Sequence, residues 1–257
     1  MEGPISALYV ARRACYGYTM IRTDALDASL DLALGDEHRR IDVDAWDDIY
    51  VVGDVHGCLQ ELERLVERLD PSEDDLVVFV GDLVRKGPDS AGVVDFVRSR
   101  PNFVTVRGNN EEKLLRGEKS LAELDDEDRQ WIADLPVAVH WDDALVVHAG
   151  VDPRKSIVEH TVDDFETIRE LGDGSYEPPF WYDEYDGDHR VFFGHTPLED
   201  PVVRRNAVGL DTGCVYGGTL TAYDVRGDRF VSVTPDRTIQ ERPARKFVTP
   251  RRTVTAD

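Results

Sequence analysis

Three times between residues 49 and 115, a short apolar run stops near a glycine, a polar side chain follows at once, and a helical pattern comes next. Ile49-Tyr50-Val51-Val52 leads to Gly53-Asp54, Leu76 to Val80 leads to Gly81-Asp82, and Val104 to Val106 leads through Arg107 to Gly108-Asn109. Between these runs, Cys58 to Leu69 places Leu59, Leu62, Leu65, Val66 and Leu69 on one helical face, and Asp89 to Arg98 turns Val93, Val94 and Val97 inward. A third helix is expected from Asn110 to about Leu115. Short unbroken apolar runs bounded by glycine are read as strands buried on both faces, so the alternation predicts an α/β layered architecture with a mostly parallel sheet.

The second half changes character. An acidic helix is expected near Leu121 to Leu135. Short apolar runs follow at Val137–Trp141, Ala144–Val147, Val191–Phe193, Val208–Leu210, Gly218–Val225 and Phe230–Thr234. These are read as a second sheet packed on the first, which gives two mixed sheets flanked by helices over residues 49–236. Residues 1–48 are treated as an N-terminal extension with one helix from Ala25 to Leu34, and Met20 is read as an alternative start. Residues 237–257, rich in Arg and Pro, are read as a flexible tail, the other reading being a basic, anion-binding arm.

Composition narrows the setting. The chain of 257 residues is long enough for a sizeable core. No run approaches the roughly 18 apolar residues of a membrane span, and the arginines within the first twenty residues do not suit a secretory signal. Cys15, Cys58 and Cys214 lie far apart and are odd in number, which argues against a disulfide framework and for the cytoplasm. Asp and Glu number 52 against 30 Lys and Arg, of which only 5 are Lys, for a net charge of -22. A lysine-poor acidic surface of this kind resembles that of proteins from extreme halophiles, haloarchaea in particular; an ordinary acidic protein is the plainer reading. Either way, no basic stripe is present to bind nucleic acid without sequence preference.

The chemistry concentrates at strand ends. Asp54 and His56 follow the first run, Asp82 the second and Asn109 the third. Two later runs end in histidine, at Val147-His148 and Phe193-Gly194-His195. Ligands of open α/β sheets bind at the carboxyl ends of strands, so these six groups can converge. One such histidine is ordinarily a core or loop residue, whereas six polar groups after five strands point to a metal site. Mixed carboxylate, imidazole and amide oxygen suits Mn²⁺, Fe²⁺ or Zn²⁺ better than Ca²⁺ or a structural zinc.

These blocks, read as GDxHG, GDxVxRG-like, GNxE and two histidine motifs, resemble the calcineurin-like metallophosphoesterases, over about residues 49–225. Within them, Leu210-Asp211-Thr212-Gly213-Cys214-Val215-Tyr216-Gly217-Gly218-Thr219-Leu220-Thr221 is similar to a block of the phosphoprotein-phosphatase branch, in symmetric diadenosine tetraphosphatases and related bacterial phosphatases. Pro179-Phe180-Trp181-Tyr182 and Phe193-Gly194-His195-Thr196-Pro197 are similar to segments of bacterial polynucleotide kinase-phosphatases.

The resemblance implies two divalent ions, most readily Mn²⁺, with Fe or Zn as alternatives. Asp54 and His56 would hold one, Asp82 would bridge, and Asn109, His148 and His195 would complete the other. It also implies a shared water activated as hydroxide for attack on phosphorus. Lys86 stands where the family has a phosphate-binding arginine. Arg107 is a second candidate for that role or else a structural salt bridge, and Glu111 and Asp211 would orient ligands. Two positions depart from the family together: Asn110 replaces the histidine that protonates the leaving group, and Arg85 replaces the aspartate paired with it. The expected function is therefore a metal-dependent phosphohydrolase with nucleotide polyphosphates such as diadenosine tetraphosphate as leading substrates. A Ser/Thr protein phosphatase and a non-catalytic phosphate-binding module are the alternatives. The expected partner is a phosphorylated small molecule or protein, with no stable nucleic acid and no membrane. Substrate identity, native metal and oligomeric state are left open.

Overall fold

A computed structural model describes residues 19–142, 144–172 and 175–250. The elements are α1 (Thr19–Leu34), β1 (His38–Arg40), β2 (Ile49–Val52), α2 (Leu59–Leu69), β3 (Leu76–Phe79), α3 (Ser90–Arg98), β4 (Phe103–Thr105), α4 (Asn109–Leu115) and α5 (Asp126–Ala133). They continue with β5 (Ala138–Trp141), β6 (Ala144–Val147), α6 (Val162–Thr167), α7 (Trp181–Glu184), β7 (Arg190–Phe193), β8 (Val202–Arg204), β9 (Ala207–Gly209), β10 (Leu220–Asp224) and β11 (Arg229–Val233).

Two mixed sheets form, one ordered β11-β10-β2-β3-β4 and the other β1-β5-β6-β7-β9-β8. Each contains a parallel triplet, β2-β3-β4 in the first and β6-β7-β9 in the second. Period-two alternation sorts their side chains into three cores. Val51, Val78 and Val104 meet Val146, Phe192 and Val208 between the sheets. Val52, Val77 and Phe79 face the other way, onto Leu62 and Leu65 of α2 and Val93 and Val97 of α3. Leu145, Val147, Val191 and Phe193 pack outward against Leu26 and Leu30 of α1, Phe165 of α6 and Trp181 of α7. Each large apolar side chain so buried contributes roughly 1.5–3 kcal/mol, which is why the β2, β3 and β6 runs are apolar at every position. The helices begin on local signals as well: Asp89 caps α3 by accepting from the Gly92 amide at 2.8 Å.

Three sequence expectations change. The β10–β11 hairpin does not belong to the second sheet; β10 pairs antiparallel with β2, Ala222 opposite Val52, and extends the first. Residues 26–48 are not an appendage. Leu26, Leu30 and Leu34 are buried, and β1 pairs in parallel with β5 at a sheet edge. The flexible tail is corrected over 237–250: Val248 is buried and bridges to Leu198, and Ile239 and Gln240 both donate to the Val215 carbonyl. Arg242 donates to the Tyr216 and Tyr176 hydroxyls at 2.9 and 2.7 Å. Apolar anchors spaced among the charged residues hold a segment that composition alone made look loose. Residues 1–18 and 251–257 lie outside the described residues.

Candidate metal centre

All six predicted ligand positions lie just past the carboxyl ends of the two parallel triplets: Asp54 and His56 after β2, Asp82 after β3, Asn109 after β4, His148 after β6 and His195 after β7. The turns that bring them together are unusual. His56, Asp82 and His195 all have positive φ, at 52°, 52° and 63°, a region that side-chain-bearing residues occupy at a cost of about 1–3 kcal/mol each. Backbone hydrogen bonds hold them there: the His56 amide donates to the Asp82 carbonyl at 2.8 Å, and the His195 amide donates to Asp54 Oδ1 at 3.2 Å. Gly194 permits the crossing of the two sheets, because a Cβ on it would lie 1.9 Å from Asp54 Oδ1. Gly108 is similarly confined, its Cβ position lying 2.4 Å from the Asp82 amide nitrogen.

Asp54, Asp82 and His148 each offer a ligand atom within 4.8 Å of the others. His148 Nε2 lies 3.4 Å from Asp82 Oδ1, and His56 Nε2 lies 3.6 Å from Asp82 Oδ2 and 3.7 Å from Asp54 Oδ2. The rings are fixed from behind, His148 Nδ1 to the Val80 carbonyl at 2.8 Å and His56 Nδ1 to that of Val84 at 3.4 Å, which turns each Nε2 toward the carboxylates. His148 Nε2 is buried with no hydrogen-bond partner among the described residues. A buried imidazole nitrogen with no hydrogen-bond partner, grouped with two buried carboxylates, is the arrangement a metal ligand set requires, so the residues fit divalent ions.

The electrostatics agree. Burial, with Asp211 and Asp82 nearby, raises the Asp54 carboxyl well above its ordinary range. Burial, with Lys86 beside it, lowers His56 to about 3, so its ring is neutral. Asp82 is also buried, but His148, His56 and Lys86 outweigh that and hold it below its usual range. Glu111 accepts from the amides of Asp82, Gly108 and Val84 at 2.9, 2.9 and 3.1 Å, tying the loops after β3 and β4 together. Burial, with Asp82 close, pushes its carboxyl up to about 8. Asp211, also buried, accepts from the Gly213 amide at 3.0 Å.

The two departures prove to be one feature. The Asn110 side-chain amide donates to Asp82 Oδ2, and Arg85 donates to Asn110 Oδ1, so Arg85, Asn110 and Asp82 form a chain of contacts. The Asn110 amide also donates to Asn109 Oδ1 at 3.0 Å. Lys86 reaches the centre, its Nζ 2.7 Å from His56 Nε2. Arg107 does not. Its guanidinium is caged by Glu37 at 2.8 Å, Glu112 at 3.0 Å and Glu166 at 3.1 Å, so it joins α4 and α6 to the approach to β1 and is corrected from candidate phosphate contact to structural ion pair.

Sequence reading missed the rim. Arg169 donates to His195 Nε2 at 2.8 Å and stacks on Tyr176 at 4.2 Å, while Arg242 spans Tyr176 and Tyr216. Tyr216 in turn lies under Lys86, 5.5 Å from its Nζ. No local pattern marks these residues, since Arg169 and Tyr176 fall in the loop-rich stretch and Arg242 in the supposed tail. Cys58, Glu61 and Cys214, 156 positions apart at their extremes, also meet as a buried cluster with both thiols free.

A two-sheet α/β sandwich with carboxylates, imidazoles and an amide converging at the strand ends defines a metallophosphoesterase. Residues 48–222 match the calcineurin-like phosphoesterase family, and the chain belongs to it. Among curated relatives, the asymmetrical bis(5'-nucleosyl)-tetraphosphatase PrpE of Halalkalibacterium halodurans is 30% identical, over 77% of this chain and 98% of its own length. The symmetrical bis(5'-nucleosyl)-tetraphosphatase of Pseudomonas putida is 28% identical, over 71% and 91%. A crystal structure described as a putative diadenosine tetraphosphatase superposes with a TM-score of 0.70 at 29% identity, over 77% of this chain and 97% of that one. A Saccharomyces cerevisiae serine/threonine phosphatase with similarity to PP5 shares the fold, at 0.56 and 16% identity.

Proposed function

We propose that this chain is a dinuclear metal-dependent phosphohydrolase that cleaves phosphoanhydride bonds of nucleotide polyphosphates such as diadenosine tetraphosphate. The observation that carries the anhydride preference is the Arg85–Asn110–Asp82 chain. The side chain in the proton donor's place is an amide with no titratable proton, and both of its ends are engaged. A nucleotide leaving from an anhydride is stable as an anion near neutral pH and needs no proton, whereas a serine alkoxide gains roughly 10²–10⁴-fold from a general acid. The tetraphosphatase relatives support the same substrate class.

Asp54, His56 and Asp82 would hold one ion and Asp82, Asn109, His148 and His195 the other. Bound ions of this kind supply Lewis acidity and an activated water, and Mn²⁺ is the ion we favour. The protein's own contribution is positioning. Val80 and Val84 carbonyls set the histidine tautomers and Glu111 fixes the Asp82 turn. Lys86, Arg169 and Arg242 face a polyphosphate with cations in an otherwise acidic molecule, and Tyr176 and Tyr216 offer rings on which a base can stack. Among the described residues no helix is long and apolar enough to cross a membrane. We further propose a cytoplasmic protein adapted to high salt. Incubation with diadenosine tetraphosphate and Mn²⁺ in molar KCl, with nucleotide products resolved by ion exchange, tests the reading. Products that disappear in Asp82→Asn support it. The absence of turnover on any phosphate compound, with metal bound, would establish a binding module instead.

A further inference from the structure

A second group of metal-ligating side chains lies at the far edge of the other sheet. His38 on β1 and His140 on β5 sit on neighbouring parallel strands, Arg40 opposite His140, with their ring centroids 5.4 Å apart. Helix α1 lays Asp27 and Asp31, one turn apart, over the same spot. His140 Nε2 lies 3.1 Å from Asp27 Oδ1, and His38 Nε2 lies 3.0 Å from Asp31 Oδ1. Asp27, His38 and His140 each offer a ligand atom within 4.8 Å of the others.

Two features distinguish this from a hydrogen-bonded histidine pair. His140 and His38 side chains are 1% and 8% exposed; His38 Nε2 is hydrogen-bonded to Asp31, but His38 Nδ1 has no hydrogen-bond partner among the described residues, and His140 Nε2, though 3.1 Å from Asp27 Oδ1, is not aligned to bond it. Buried polar nitrogens are almost always satisfied, and leaving one bare costs on the order of 1–3 kcal/mol. The carboxylates, by contrast, are partly open to solvent at 34% and 68%, which gives an ion a way in. The 3.1 Å between His140 Nε2 and Asp27 Oδ1 is also close to the roughly 3.4 Å between ligand atoms of a tetrahedral site with bonds of about 2.1 Å.

We propose that Asp27, His38 and His140 hold a transition-metal dication of the zinc class at a mononuclear site separate from the phosphoesterase centre. Two imidazoles and a carboxylate select Zn²⁺, Co²⁺ or Ni²⁺ over Mg²⁺ and Ca²⁺, which prefer all-oxygen shells. The role is to pin α1 to the sheet edge. Both α1 and β1 precede residue 48, where the family match begins, so the site combines a segment outside that match with a strand within it.

The full-length chain, stripped with a chelator and dialysed against fixed free Zn²⁺, is analysed for bound metal and thermal midpoint. Three forms are compared: unsubstituted, His38→Gln, and Asp27→Asn with Asp31→Asn. The last changes only partly exposed positions and decides the matter if His38→Gln does not fold. Each variant is expected to bind one equivalent fewer than the unsubstituted chain and to lose part of the Zn²⁺-dependent rise in midpoint. Mn²⁺-dependent phosphohydrolysis should stay within twofold. In an Asp82→Asn background the remaining Zn²⁺ should vanish only when the α1 aspartates are also replaced. Equal metal content and an equal midpoint shift in all forms would overturn the proposal and leave an ordinary histidine pair.

Discussion

Asn110 and Arg85 are intelligible only together. An amide cannot replace a titrating imidazole, but it can bridge a carboxylate and a guanidinium, and here it contacts Asp82 on one side and Arg85 on the other. Asn110→His with Arg85→Asp should therefore restore a proton donor and its orienting carboxylate. The double variant is expected to raise alkyl phosphate hydrolysis by one to two orders of magnitude, roughly the lower range of general acid catalysis, while changing anhydride hydrolysis less than about threefold. Equal stimulation of both substrate types in steady-state assays would mean that another group already supplies the proton. At a second residue, pH is the probe. Burial first, then His38 and Arg40, lower His140 from 6.5 to about 4 against the pull of Asp27. Between those values the unfolded chain binds the proton that the folded chain refuses, so folding stability rises with pH. That contribution is complete above about 6.5 and is lost as pH falls toward 4. In chelator, the thermal midpoint should fall across this window, and less steeply in His140→Gln. Parallel curves for the two proteins would contradict it.

The elements do their work at their ends. Glycine and a polar residue after each apolar run made the turns carrying Asp54, Asp82, Asn109, His148 and His195 legible in the sequence, because a buried strand must stop and the next side chain must face the opening. What was not legible depends on distant partners. Arg107 could be read as a phosphate contact or as a structural ion pair, and only the closure of Glu37, Glu112 and Glu166 from three segments decides for the ion pair. The β10–β11 hairpin carries no signal for which sheet it joins, and three-residue β1 and β8 are too short to show a period. Arg169 and Arg242 reach the rim only through the packing of loops. Gly194 tests the convergence of the two sheets most simply. A methyl there would overlap Asp54 Oδ1 and sit 2.7 Å from Val80 Cγ2. Gly194→Ala should displace Asp54 and cost at least 100-fold in kcat/KM, with near-unchanged far-ultraviolet circular dichroism. Near-full activity would mean that the Asp54 and His195 turns are not held against each other.

For the molecule as a whole, charge is the largest unspent term. A net charge of -22 repels itself at low salt, where the screening length is about 10 Å at 0.1 M, and much less at 1 M, where it is about 3 Å. The thermal midpoint is expected to rise steadily from about 0.1 M to beyond 1 M KCl. A flat or falling curve would remove the case for salt adaptation. High salt should also weaken the attraction of Lys86, Arg169 and Arg242 for phosphate, so that KM rises while the fold gains stability.

The account depends most on the claim that this centre discriminates by leaving group, cleaving anhydrides without a general acid. The direct measurement is kcat/KM for diadenosine tetraphosphate and for a phosphoserine peptide, taken with the same Mn²⁺-loaded preparation in molar KCl. A ratio of roughly 10² or more in favour of the tetraphosphate is the predicted result. Comparable values, or a preference for phosphoserine, would contradict it.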